Sequence, residues 1–183
     1  VKMLVPFMRD PFEAGGLGLD TATVGYAYGT VGIVSLVIGG ILGGWAISKF
    51  GLKKCIWPMA FALNAPDIGY IYLATSAGTD LTAVYSVVAI EQFGYGLGFT
   101  AFMVFLMYTC RGDYKTAHFA ISTGLMALGM MVPGMISGKL QQMLGYSNFF
   151  VMILIASVPG MLVIPFLPME DTVKEVPKDI DLN

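Results

Sequence analysis

The chain has 183 residues, of which 56% are apolar and only 12% charged, and its formal net charge is -2. Soluble domains carry about 25% charged residues, so this composition excludes an ordinary soluble globular protein and assigns the chain to a lipid bilayer. No basic stripe suits nucleic acid. Neither a Cys/His cluster, a glycine-rich phosphate loop nor a nucleophile elbow is present, which argues against an enzyme and leaves no cofactor or metal to assign.

In chain order, Val1 to Met8 (VKMLVPFM) is apolar but too short to span, and reads as the outer end of a transmembrane helix whose beginning is missing. The chain therefore reads as a piece of a longer protein. Residues 9–20 (RDPFEAGGLGLD) form an external loop, after which Asp20, Thr21 or Thr23 can cap the next helix. Five transmembrane helices are predicted over about 21–48, 55–75, 81–109, 118–139 and 148–167. The connecting turns are Ser48 to Lys54, Ser76 to Asp80, Cys110 to His118 and Leu140 to Asn148. Residues 168–183 are charged and poor in apolar side chains, and are expected to be a disordered cytoplasmic tail. Glycines four apart, Gly25 with Gly29 and Gly40 with Gly44, predict a nearly bare face on the first full span for close helix packing. The 13 methionines are scattered, which suits adaptable packing better than a metal path. Cys55 and Cys110 form neither a disulfide framework nor a metal site.

Positive charge marks the cytoplasmic side. Lys49, Lys53, Lys54, Arg111, Lys115, Lys174 and Lys178 fall inside in this topology, whereas Arg9 and Lys139 fall outside. Laid on itself 94 positions along, the sequence places Gly40, Gly44 and Gly51 on Gly134, Gly138 and Gly145. Lys53 and Lys54 then meet Ser147 and Asn148, so the first turn is basic and its counterpart is not. Two such copies run through the membrane in opposite directions. Inverted repeats of three helices within a six-helix half are characteristic of major facilitator transporters.

With the missing helix restored, the chain resembles the C-terminal half of such a transporter: an all-α six-helix half-bundle with a 3+3 inverted repeat. The turn GWAISKFGLKK resembles the loop signature of that superfamily, with Gly44, Lys49, Gly51, Lys53 and Lys54 matching and Ser48 standing where an acidic residue usually lies. More specifically, FGLKKCIWPMAFALNAP, EQFGYGLGFTAFM, YKTAHFAISTGLMALGMMVPGMISGKLQ and LGYSNFF resemble segments of the AmpG-like permeases. That resemblance implies proton-driven import of muropeptides, the anhydro-sugar peptides of wall turnover, across the bacterial inner membrane. The missing N-terminal six-helix half, the bilayer, a small amphiphilic solute and protons are then the expected partners. The alternatives are a carrier of another solute, such as a sugar, a peptide or acetyl-coenzyme A, and a transporter-like sensor that moves nothing.

Glu91 lies about 15 Å along the span that opens at Leu81, at roughly 1.5 Å per residue, and so near the bilayer midplane. A carboxylate there is expensive and usually serves a substrate or proton pathway; the alternative is a structural carboxylate bonded to another helix. Helical spacing puts Val88, Tyr95 and Gly98 on its side. Tyr28, Gln92, Ser122 and Thr123, with Tyr26 and Thr100, are polar groups suited to sugar hydroxyls or peptide amides. Asp67, in NAPD, is a second intramembrane charge, and a structural role at the proline break is favoured for it. His118 either titrates on the pathway or binds a helix end at the interface.

Overall fold

The computed structural model describes residues 3–76, 80–110, 113–167 and 169. Lys2, Arg111 and the expected tail beyond Met169 lie outside the described residues. Every regular element among the described residues is helical. Helix α1 is Leu4–Arg9, followed by a 3-10 turn at Phe12–Ala14. Helix α2 (Thr21–Tyr26) runs through a π-helical segment, Ala27–Gly32, into α3 (Ile33–Phe50). Then come α4 (Leu52–Asn64), α5 (Asp67–Thr75), α6 (Leu81–Thr109) and α7 (Lys115–Val163), with a closing 3-10 turn at Ile164–Phe166.

Of the three candidate caps it is Asp20 that opens α2: its Oδ1 accepts from the Thr23 N–H at 3.3 Å. A hydrogen bond from the Thr23 side chain, with that backbone bond adding to it, holds the Asp20 carboxyl below the usual carboxylate range. Asp80 opens α6 in the same way, accepting from the Thr82 N–H at 2.9 Å. Among the described residues, three stretches are long and apolar enough to cross a membrane: Thr21–Phe50, Leu81–Thr109 and Lys115–Phe166. The last holds two limbs, because Gly145 interrupts α7 with φ 73° and ψ 165°. Residues of both limbs, Gly129 to Leu140 and Phe149 to Ala156, line one cavity of about 440 Å³.

The turns are tighter than the composition suggests. The expected loop from Leu140 to Asn148 is helical on both sides of Gly145. Likewise α3 continues through Phe50 and α4 begins at Leu52, with Gly51 between them at φ 84° and ψ 152°. Only glycine enters this left-handed region without a Cβ clash, so one residue accomplishes what an extended turn would otherwise require. Lys49, Lys53 and Lys54 accordingly sit in helix ends.

Helix α6 is central. Its Gly96 lies on the Leu36 carbonyl of α3, while Gly39 of α3 lies on the Phe93 carbonyl of α6; a Cβ at either place would overlap that oxygen. On its other side Gly94 meets the Ala62 carbonyl of α4. Pro66 has no N–H to bond that carbonyl four residues back, so Gly94 covers an oxygen that the proline frees. The close-packing face of the first span is therefore Gly39 and Gly43, whereas a Cβ on Gly25, Gly29 or Gly44 would meet nothing within 4 Å. This corrects the expected register. Lipid tails are as apolar as leucine, so close backbone contact rather than burial from water holds such helices together.

Two apolar clusters of buried residues occur among the described residues. One gathers Phe7, Met8, Tyr70, Val88, Tyr146 and Phe150 among others; the second joins Leu52, Cys55, Ile56, Met59 and Ala101. In the first, the Tyr146 hydroxyl donates to Asp10 Oδ2 at 2.6 Å, tying the segment before α2 to the Gly145 turn.

Candidate functional site around Glu91

Three elements converge on Glu91, which is half-buried on α6. The Tyr70 hydroxyl of α5 donates to Glu91 Oε2 at 2.8 Å, and the Tyr28 hydroxyl of the π segment lies 3.5 Å from the same oxygen. The two hydroxyl oxygens are 3.2 Å apart. Gln92 adds an Nε2 donor to Oε2 at 3.2 Å. Among the described residues every hydrogen bond to Glu91 goes to Oε2 and comes from a neutral group.

Local sequence explains the convergence. Pro66 ends α4, and α5 restarts at Asp67, which brings Tyr70 fully inside, its ring 5.7 Å from that of Phe150. Asn64 donates to the Ala60 carbonyl at 2.8 Å beside the break. Asp67 is itself only 8% exposed. It opens α5, where the positive end of the helix dipole favours an acidic side chain. In the π segment Gly32 lets α6 approach, since a Cβ there would come within 3.2 Å of Gln92 Cγ.

The structure thus unites Glu91, Gln92 and Tyr28 of the expected set and adds Tyr70. It does not place Tyr95 with them: Tyr95 is exposed and stacks on Phe99 at 5.6 Å. Nor are Ser122, Thr123 and His118 hydrogen-bonded to Glu91. Ser122 and Thr123 are half-buried on α7, and Thr123 donates to the Phe119 and Ala120 carbonyls at 3.0 Å each. His118 is exposed in the first turn of α7. Thr100 bonds the Gly96 carbonyl of its own helix at 2.8 Å, and Tyr26 packs edge-on against Tyr85.

At the basic turn, the Lys49 ammonium lies 5.0 Å from the Trp45 ring centre and 5.4 Å from that of Phe50. Ser48, where the loop signature has an acid, donates to the Trp45 carbonyl at 2.8 Å. Lys53 and Lys54 are exposed, as is Gly44.

The fold and sequence of the chain are similar to those of known transporters. A crystal structure of the peptide transporter POT in complex with alafosfalin superposes with a TM-score of 0.71, covering 90% of this chain and 33% of that one at 20% identity. The fold is that of part of this transporter, and the chain's long apolar helices suit a multi-pass membrane protein. In sequence the chain is 26% identical to the anhydromuropeptide permease of Escherichia coli K12, over 84% of the chain and 31% of that protein. It is likewise 26% identical to a protein named AmpG 2 of Rickettsia prowazekii, over 83% of the chain and 37% of that protein. Both of these relatives carry the names of a permease and a transporter. It spans about a third of the length of these curated relatives. No family model matches it.

Proposed function

We propose that the chain is the C-terminal six-helix half of a secondary active transporter that imports muropeptides with protons across the bacterial inner membrane. The observation that carries the reading is Glu91, a carboxylate at membrane depth held by neutral donors from two other helical elements in an AmpG-like chain. An ionisable side chain in such a place takes up and gives back a proton, or grips a solute, as the cavity opens to either side.

The inverted repeat has support from the backbone. Gly51 and Gly145, matched in the two copies, adopt nearly the same left-handed conformation, φ 84° and ψ 152° against φ 73° and ψ 165°. Burial follows the same offset: Leu52, Cys55 and Ile56 correspond to Tyr146, Phe149 and Phe150, all buried. Alternating access then arises as this half rocks against the N-terminal half around a site between them. Five crossings follow, with α4 and α5 making one crossing through the proline break.

The test is accumulation. The complete carrier in proteoliposomes, with the outside more acidic, is expected to concentrate an anhydro-muropeptide against its gradient. Binding without accumulation makes the protein a sensor. Accumulation of a sugar, a peptide or acetyl-coenzyme A in its place reassigns the cargo.

A further inference from the structure

The hydroxyl protons around Glu91 can be counted. Each tyrosine has one. The short 2.8 Å contact commits the Tyr70 proton to Glu91 Oε2, so Tyr70 accepts from Tyr28, whose distance to Oε2 is the longer 3.5 Å. The order is a chain, Tyr28 to Tyr70 to Glu91, closed by Gln92 on the same oxygen. Tyr28 enters this chain from inside the π segment Ala27–Gly32. A π turn carries one residue more than an α turn and recurs at functional sites. Removing one residue restores α geometry and turns everything before it by about 100° around the helix axis. Gly32, at the other end of the segment, sits on Gln92 and Val88. The π segment is thus fitted to the Glu91 region at both ends.

We propose that Tyr70 and Tyr28 are positioning residues that hold Glu91 by Oε2, leaving Oε1 as the oxygen that is loaded with a proton, and that the π turn is what delivers Tyr28. The proton comes from water on one side of the membrane and returns to water on the other. The significance for transport rests on the function proposed above; the positioning itself does not.

A hydrophobic carbodiimide reacts with a protonated carboxyl inside a membrane, and peptide mass spectrometry reads Glu91 and Asp67 separately. In the complete carrier in proteoliposomes at neutral pH, Tyr70→Phe removes a donor that favours the carboxylate and keeps the ring against Phe150. Labelling of Glu91 should rise about threefold or more, since one hydrogen bond to a charged group is worth at least a factor of that size. Tyr28→Phe should give a smaller rise, and deletion of the exposed Thr30 should reproduce Tyr28→Phe. Unchanged labelling in both Phe variants, with the parent's thermal unfolding midpoint, overturns the proposal. A rise at Thr30 deletion that exceeds Tyr70→Phe overturns the role of the π turn. If Tyr70→Phe does not fold, Tyr28→Phe and the deletion decide alone. Altered labelling combined with parental uptake by Glu91→Gln keeps the positioning and sinks the proton pathway.

Discussion

Glu91 departs from the apolar rule of its helix, and its neighbours show why it is tolerated. Neutral groups around one oxygen, Tyr70 and Gln92 as direct donors with Tyr28 behind Tyr70, offset part of the cost of a carboxylate in a medium where an unpaired charge would be very expensive. Glu91→Gln keeps the shape and the hydrogen-bonding reach but cannot lose a proton. Accumulation driven by a pH gradient should therefore fall by about tenfold or more, equal to roughly 1.4 kcal/mol. Counterflow of solute without a gradient should persist, and both are read in the same proteoliposomes. Equal loss of the two assigns Glu91 to binding the solute. The carboxylate and Gln92 were legible in the sequence because polar groups stand out in an apolar span. Tyr70 was not, although it lies three residues after Asp67 in the same broken span. A tyrosine in a membrane helix reads as an interfacial or packing residue until the fold supplies the acceptor for its hydroxyl.

At the scale of elements, the glycine pattern of α3 and α6 decides how closely helices approach. The run Gly39, Gly40, Gly43, Gly44 contains two registers four apart, and sequence spacing alone favours neither. The π segment adds a residue to the rod before α3, so a face projected from Gly25 and Gly29 no longer continues in phase. The structure selects Gly39 and Gly43. Gly39→Leu should lower the yield of folded carrier severalfold and depress its thermal midpoint, because the obstacle is the Phe93 backbone, which cannot move aside as a side chain would. Gly44→Leu should leave both near the parent, since a Cβ there meets nothing within 4 Å. Size-exclusion profiles and thermal unfolding of the two variants measure the difference. Equal damage from both would place Gly44 in a contact outside this chain.

For the whole molecule, the sidedness of the two glycine turns tests the inverted repeat. With Cys55 and Cys110 replaced by serine in the complete carrier, single cysteines at Ser48 and Asn148, both exposed, should be labelled by an impermeant thiol reagent from opposite faces of the membrane. Labelling of both from one face removes the repeat. Composition by itself determined that the chain is a membrane protein, because so few charges over so much apolar length leave the bilayer as its solvent. The resemblance of its motifs also reached the transporter class, and the positions of Gly51 and Gly145 marked the two reversals. What only the tertiary structure decided is where side chains meet: which glycine register packs, that α4 and α5 break at Pro66, and that Tyr28 and Tyr70 share Glu91. The reason is that hydrophobicity and charge bias act along the chain and can be read one residue at a time. Hydrogen bonds such as that between Tyr70 and Glu91 join residues from separate helices, and their partners exist only once the helices have set their angles, kinks and rotations against one another.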